Sequence, residues 1–176
     1  MDSIAASFLQ TAIKRFYACK DLADKTFAQL QPADFFWQPN EASNSLAIII
    51  QHMSGNMISR WTNFLTEDGE KPWRSRDKEF TLQFTEVNAL LQAWEQGWRC
   101  LFDALSALTE DDLLKTIYIR TEGQSVIDAI HRQLAHYGYH VGQIVYLGRL
   151  IKNETWQTLS IAKGQSEAYN QQMKKS

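Results

Sequence analysis

The sequence predicts an all-α protein, a four-helix bundle with a short C-terminal extension. In four long segments apolar residues recur at steps of three and four, which places them on one face of a helix. The three prolines, Pro32, Pro39 and Pro72, lie between these segments, where they interrupt no helix. Because four amphipathic helices in 176 residues favour one bundle, we expect a single domain over residues 1–176.

Each segment has its own apolar face. The first comprises Ile4, Phe8, Ala12, Phe16, Cys19, Ala23, Phe27 and Leu30. The second comprises Leu46, Ile49, Ile50, Met53, Met57, Trp61 and Phe64. The third comprises Phe84, Val87, Leu91, Trp94, Trp98, Leu101, Leu105 and Leu108, and it has the spacing of a bundle seam. The fourth comprises Ile127, Ile130, Leu134, Tyr137, Val141, Ile144 and Ile151.

Polar residues suggest where two of the helices begin. Asn44 or Ser45 is a competent N-cap for the second helix, and Thr121 with Gln124 fits a capping box before the fourth. Between the helices, the aromatic loop 31–43 is expected to pack on the bundle, whereas residues 67–80 are charged and rich in turn formers. The stretch TIYIR (116–120) alternates like a strand but is too short to form a sheet alone. The polar tail is compatible with a short final helix.

Composition excludes several classes of function. The net charge is -2 and the basic residues are scattered, so we expect no nucleic-acid partner and no attraction to acidic membranes. No apolar run approaches the roughly 20 residues that span a bilayer, and the N-terminus lacks the pattern of a secretion signal. Cys19 and Cys100 are interpreted as buried free thiols, and a cysteine nucleophile is disfavoured because neither has a histidine nearby in sequence. We expect a cytoplasmic protein.

Three of the four histidines fall within HRQLAHYGYHVGQI (131–144). His136 and His140 are four residues apart, about 40° around the helix, so both project from one face. His131 lies about 180° from His140 and is not expected to be a ligand at the same site. The pair can grip one ion, as in helical zinc motifs, but it lacks the glutamate of HExxH.

The remaining histidine, His52, lies in an apolar stretch of the second helix. It is followed by Gly55 and Asn56, both poor helix formers. We interpret Gly55 as room for a ligand near the backbone and Asn56 as a hydrogen-bonding group. Together with Asn56, the residues that border the histidine face of the fourth helix are candidate substrate-binding residues: Arg132, Tyr139 and Gln143.

Two interpretations of the histidines stay open at this point. HxxxH occurs on many helices without a metal, and a lone histidine on an apolar face is often a hydrogen-bonded core residue. Against this, histidines in apolar contexts on two bundle helices could supply three neutral imidazoles and one open position to Zn²⁺, Ni²⁺ or a similar divalent ion.

The stretches LAIIIQHMSGNMISRW (46–61) and AIHRQLAHYGYHVGQI (129–144) resemble the DinB-like superfamily of small bacterial proteins. The chain is most similar to an uncharacterised subgroup that shares the tail LSIAKGQSEAYN, in the 157–170 region. The resemblance covers nearly the whole chain. It implies a four-helix bundle, often dimeric, that holds a divalent metal through three histidines, here His52, His136 and His140.

Characterised relatives in the superfamily include thiol-dependent transferases, which use bacillithiol or mycothiol, and a maleylpyruvate isomerase. The first functional hypothesis is therefore a metal-dependent transferase or hydrolase that acts on a small molecule, such as a low-molecular-weight thiol or its conjugate. No carboxylate base is evident in sequence near the histidines, which favours a coordinated nucleophile, and no catalytic residue is assigned. The alternative is a non-enzymatic metal-binding or stress-related protein, which a closed fourth coordination position would favour.

We also expect a homodimer. The fourth helix has apolar residues outside its seam: Val126, Ala129, Val145 and Leu147. The third helix carries Trp94 and Trp98, more than a small bundle needs to bury alone. Surplus apolar surface usually marks an interface, and a two-fold pairing is the commonest one. The alternative is that these residues line the metal pocket or lie under the 31–43 loop.

Overall fold

Long helices dominate the structure, a computed structural model that describes residues 3–174. Four of them are α1 (Ile4–Phe27), α2 (Leu46–Trp61), α3 (Val87–Ser106) and α4 (Val126–Lys152). A shorter fifth helix follows, α5 (Ser166–Met173). One antiparallel hairpin, β1 (Thr116–Ile119) and β2 (Glu122–Ser125), lies between α3 and α4. The all-α prediction is thus broadly confirmed, with a small hairpin added.

The helices share one apolar core. α2 packs against α3 and α1 packs against α4, and α2 also touches α4. All of α2 is buried except Gly55 and Ile58, so this helix runs through the centre of the protein. The rings of Phe16, Trp98 and Tyr137, from three helices, meet with centroids 5.8–6.5 Å apart. Because α2 and α4 meet in the interior, polar side chains on their facing surfaces are held in a dry environment.

Several predicted details of the helices differ from the structure. The apolar pattern places Ile4 in the core, but it is 92% exposed, because it occupies the first position of α1. Helices α1, α2 and α3 are shorter than their apolar patterns, which continue into the flanking turns. The apolar residues that the patterns place in a helix but that lie outside it are Leu30, Phe64, Phe84 and Leu108.

The predicted N-cap of α2 is confirmed and that of α4 is wrong. Ser45 caps α2, since its side chain accepts a hydrogen bond from the Ile48 amide at 3.3 Å. At α4 the cap is Ser125, which accepts from the Asp128 amide at 3.1 Å. Thr121 lies in the hairpin turn and its proposed partner Gln124 lies in β2.

The connecting segments pack on the helices to different degrees. In the 31–43 loop Phe35 is buried as expected, whereas Trp37 is 42% exposed. The strand pattern of residues 116–120 is confirmed as β1, which pairs with β2. Cys19 and Cys100 are free but half-buried rather than buried. None of the helices between residues 3 and 174 combines the length and the apolar character that a membrane crossing requires.

Trp94 and Trp98 are both buried within the single chain, at 1% and 0% exposure. Val126, Ala129 and Leu147 are buried as well. The apolar surplus that the sequence suggested is therefore consumed mostly by the core of one chain, and it no longer argues for an interface.

Candidate metal centre

Three histidines from two helices converge where α2 meets α4. The Nε2 atom of His136 lies 3.4 Å from Nε2 of His52 and 3.1 Å from Nε2 of His140. One ligand atom from each of the three lies within 4.8 Å of the others. His52 and His140 are buried and His136 is half-buried. Helix α4 brings two of these rings together because their spacing is one helical turn, and packing against α2 adds the third.

A carboxylate orients His52. Glu79 lies on the segment that leads into α3, and its Oε2 atom accepts a hydrogen bond from His52 Nδ1 at 2.9 Å. Arg74 grips the same carboxylate with two nitrogens, at 2.7 and 2.9 Å. Burial alone would raise the pKa of Glu79, but the hydrogen bonds from His52 and Arg74 hold that pKa below its usual range. An ionised carboxylate therefore fixes both the orientation and the tautomer of His52.

Gly55 makes room for this carboxylate. A Cβ atom at Gly55 would lie 2.5 Å from Glu79 Oε1, too close for the glutamate to keep its place. From sequence, Gly55 is interpreted as space for a ligand, but in the structure the carboxylate of Glu79 occupies that space.

Gln51 holds the segment that carries Glu79. Its Nε2 atom donates to the main-chain oxygens of Glu79 and Thr81, at 2.8 and 3.0 Å. Its Oε1 atom accepts from the amide of Gln83 at 2.8 Å. A buried side chain next to His52 thus ties the loop that carries Glu79 to the helix that carries His52.

Gln143 orients the third histidine. Its Oε1 atom accepts a hydrogen bond from His140 Nδ1 at 2.8 Å. Because Glu79 and Gln143 both accept from Nδ1, the Nε2 atoms of His52 and His140 carry lone pairs that face the cluster. His136 Nε2 can donate a proton to only one of them. The other lone pair has no donor among residues 3–174, which is the arrangement a cation would complete.

Two imidazoles of the cluster, those of His136 and His140, have lowered pKa values. Burial, and then repulsion from His140, His52 and two arginines, lowers the pKa of His136 to about 3. Burial also lowers the pKa of His140, with a smaller contribution from His52, although the hydrogen bond to Gln143 opposes the shift. Neutral imidazole is the form that binds a metal.

The donor set fits a small divalent ion. Tetrahedral coordination at metal–nitrogen distances of about 2.0–2.1 Å requires nitrogens roughly 3.3–3.4 Å apart. The observed separations of 3.4 and 3.1 Å are close to this value. His52, His136 and His140 could therefore hold one ion, with Glu79 and Gln143 as the supports that metal-binding histidines usually have.

The carboxylate is the residue that sequence reasoning missed. The sequence shows no carboxylate base near the histidines, yet Glu79 contacts His52 across 27 positions of the chain. Glu79 is hydrogen-bonded to both His52 and Arg74 and therefore orients His52. The one local clue was Gly55, a glycine inside an otherwise buried helix.

The four candidate substrate-binding residues lie at different places. Asn56 and Arg132 line a cavity of about 240 Å³ that also exposes His52 and His136. Gln143 supports His140, and it also lines a second cavity of about 470 Å³ beside the 39–44 loop.

Asn56 has a structural partner as well, since its Oδ1 atom accepts a hydrogen bond from the Tyr137 hydroxyl at 3.0 Å. Tyr139 is 64% exposed, and its ring contacts that of His140 with centroids 4.9 Å apart. His131 lies outside the cluster as expected, and its ring packs edge-on against Phe8 with a centroid distance of 5.3 Å.

Comparison with known proteins identifies a family for the chain but no activity. A search among curated proteins found no significant match. A family model described as "Protein of unknown function (DUF1572)" matches residues 3–165. This match includes the three histidines, Glu79 and Gln143, and it covers nearly the whole chain. The chain therefore belongs to the DUF1572 family.

Proposed function

We propose that the protein is a divalent-metal-dependent enzyme whose ion, zinc or nickel, is held by His52, His136 and His140. The observation that carries this proposal is the convergence of three imidazoles with one ligand nitrogen of each within 4.8 Å, and with the Nδ1 atoms of His52 and His140 hydrogen-bonded to Glu79 and Gln143. Histidines with a purely structural role in a core do not need nitrogen lone pairs that face one another. A cation bound by all three imidazoles explains why the lone pairs of His52 and His140 face the cluster.

The resemblance to DinB-like proteins supplies the reaction class. We propose a single-domain DinB-like four-helix bundle that acts on a small molecule as a thiol-dependent transferase or a hydrolase. Nucleic acid and membranes are not proposed as partners. The two free cysteines, Cys19 and Cys100, favour a reducing compartment, and we propose a cytoplasmic location.

The side chains around the ligands have separable tasks. A divalent ion bound to three neutral imidazoles supplies a Lewis acid at neutral pH. Glu79 keeps the proton of His52 on Nδ1, and Gln143 does the same for His140. Asn56 and Arg132 line the adjoining cavity and are placed to orient a substrate.

The alternative is a non-enzymatic metal-binding or stress-related protein. A structural metal is normally closed by a fourth protein ligand. Among the described residues the metal-competent group contains three histidines and no further histidine, cysteine or carboxylate ligand. This favours an open position and therefore the enzyme.

Elemental analysis of purified protein tests the metal site. We expect about one zinc or nickel ion per chain in the wild type, and its loss in the single variants His52→Ala, His136→Ala and His140→Ala. His131→Ala is the matched control, because its ring packs on Phe8 outside the cluster, and it should keep the metal. Full metal in the variants of His136 and His140 would refute the site.

Activity is tested separately. The zinc- and nickel-loaded proteins are screened with small electrophiles in the presence of bacillithiol or mycothiol, and with small hydrolysable substrates. Turnover that disappears in His136→Ala supports the enzyme. A metal-replete protein with no turnover in either screen favours the binding protein instead.

A further inference from the structure

Arginines crowd one side of the histidine cluster. Five of the eight arginines in the chain line the cavity of about 240 Å³ that also contains His52 and His136: Arg60, Arg74, Arg76, Arg120 and Arg132. None of the residues that line this cavity is acidic. They are brought together from α2, the 67–80 segment, the hairpin turn and α4, so no stretch of sequence reveals the concentration of charge.

Two of these arginines are buried with unused donors. The side chains of Arg60 and Arg74 are 6% and 2% exposed. Arg60 Nε and Arg74 Nη1 have no hydrogen-bond partner among residues 3–174. The nearest carboxylate oxygen to Arg74 Nη1, on Glu70, is 3.7 Å away, beyond hydrogen-bond distance. Buried guanidinium donors without partners are costly, which indicates that a ligand completes them.

The carboxylates present satisfy only part of the cluster. Glu79 pairs with Arg74, and Glu70 pairs with Arg60 and Arg120 at 3.0 and 3.1 Å. Arg76 and Arg132 form no ion pair with any described residue. Arg76 instead lies over the ring of Phe80, at 5.2 Å. Two guanidinium groups at the cavity are thus without a counter-ion among residues 3–174.

The arginines also repel one another. Burial lowers the pKa of Arg60, and the positive charges of Arg74 and Arg132 lower it further, although Glu70 opposes the shift. An anion in the cavity would remove this repulsion. Guanidinium groups bind carboxylate and phosphate with two parallel hydrogen bonds, so both chemistries suit the site.

We propose that this cavity binds an oxyanion, and that the substrate of the metal centre is a small molecule with a carboxylate or phosphate group. The cavity is smaller than the usual 300–1,000 Å³ of ligand pockets, which favours a compact molecule. Arg60 and Arg74 are too deeply buried to follow an extended nucleic-acid backbone. The assignment of substrate class rests on the proposed metal-dependent function, whereas anion binding itself does not.

Isothermal titration calorimetry tests the proposal with three probes: inorganic phosphate, succinate and uncharged succinamide. Each is titrated into zinc-loaded protein and into protein stripped with a chelator. We expect phosphate or succinate to bind both forms, more weakly at high salt, and succinamide to bind neither. The difference between phosphate and succinate identifies the preferred oxyanion.

The decisive variants are Arg76→Gln and Arg132→Gln, alone and together, because both side chains are exposed and neither forms an ion pair with residues 3–174. We expect the double variant to bind the anion about tenfold more weakly or worse, with unchanged metal content and helix content. Arg149→Gln, an exposed position on α4 outside the cavity, is the matched control and should bind as the wild type does.

The outcomes separate the two proposals. Anion binding without stoichiometric metal would leave the oxyanion site standing and refute the metal-dependent function. Metal binding without anion binding would refute only the oxyanion site. The oxyanion site would also be refuted if the double variant bound the anion as tightly as the wild type does. It would be refuted likewise if binding required zinc and did not depend on the arginines.

Discussion

Gly55 sets how closely Glu79 can approach His52. It lies one helical turn after His52, and the carboxylate of Glu79 occupies the space that a side chain would fill. Because Glu79 is held by Arg74 on its other side, it cannot move away without losing a hydrogen bond. The smallest residue of the helix therefore sets the orientation of an imidazole ring.

We expect Gly55→Ala to weaken metal binding about 10- to 100-fold, the usual cost of losing a partner of a metal-binding histidine. The three ligands remain, and alanine favours the helix by about 1 kcal/mol, so unfolding would not be the cause. Competition with a chromophoric chelator measures the affinity.

Gly138→Ala is the matched control. It lies in α4 between two of the ligands, and a Cβ there would meet nothing within 4 Å. Equal metal affinity in both variants would show that the space beside Gly55 does not matter.

At this scale the sequence predicts what is local. The pairing of His136 with His140 follows from helical periodicity, and His131 is excluded by the same geometry. Glu79, Arg60 and Arg74 could not be assigned to the site from sequence. Glu79 and Arg74 lie in an aperiodic loop whose course is set by tertiary contacts. Arg60 lies on a helix that is buried on all sides, so periodicity does not indicate which way its side chain faces. The exposure of Ile4 has a comparable reason. Periodicity shows which face of a helix is apolar, but it does not show at which residue along that face the buried core ends.

The hairpin is an element held in place by one aspartate. Asp68 Oδ1 accepts from the amide of Arg120 at 2.9 Å, and Oδ2 accepts from the amide of Thr121 at 2.7 Å. Both turn residues have positive φ, 56° and 64°, which is unfavourable for a β-branched threonine. These hydrogen bonds stabilise the turn. The turn places Arg120 at the cavity.

We expect Asp68→Asn to lower the free energy of unfolding by about 1–2 kcal/mol, since an amide cannot accept all these bonds. Burial would raise the pKa of Asp68, but amides of Glu70, Thr121 and Arg120 hold it below its usual range. A depressed folded-state pKa gives stability that is present above the unfolded value, about 3.9, and is lost as pH falls through the folded value. In urea unfolding, the free energy of unfolding of the wild type should exceed that of Asp68→Asn at pH 7, and this difference should become smaller below about pH 4.

Asp111→Asn serves as the control, because Asp111 is exposed and forms no ion pair or hydrogen bond with the side chains of residues 3–174. Its stability should match the wild type at both pH values. A wild-type advantage over Asp68→Asn that stays constant down to pH 3 would contradict the role of the ionised carboxylate.

The turn also explains why this element was only half predicted. Two-residue hairpin turns are usually marked by Asn-Gly or Asp-Gly, whereas Arg120-Thr121 carries no such mark. Its conformation depends on Asp68, more than 50 residues earlier. The pattern Thr121-x-x-Gln124 resembles a cap equally well, so local sequence alone placed the start of α4 too early.

On the scale of the whole molecule, the assembly prediction now rests on other residues. Three large side chains on α4 are exposed, Tyr139 at 64%, Tyr146 at 68% and Leu150 at 48%. Their spacing of seven and four places them on one face. An apolar face of this kind suits the pairing of two copies about a two-fold axis.

We expect light scattering at micromolar concentration to give about twice the chain mass of 20.3 kDa. Tyr146→Glu should shift the protein to monomer, because two buried charges would oppose pairing. Tyr118→Glu, at an exposed hairpin position, should leave the mass unchanged. A mass near that of one chain, unaffected by concentration, would refute the dimer.

The segment between α2 and α3 carries two charged groups only three residues apart. Glu79, whose main chain is held by Gln51, supports His52, while Arg76 lines the cavity and forms no ion pair with Glu79. One turn of this loop therefore carries both the carboxylate that orients His52 and a positive charge at the cavity. A substitution at Arg76 can change the charge of the cavity while Glu79, the helices and their imidazoles stay as they are.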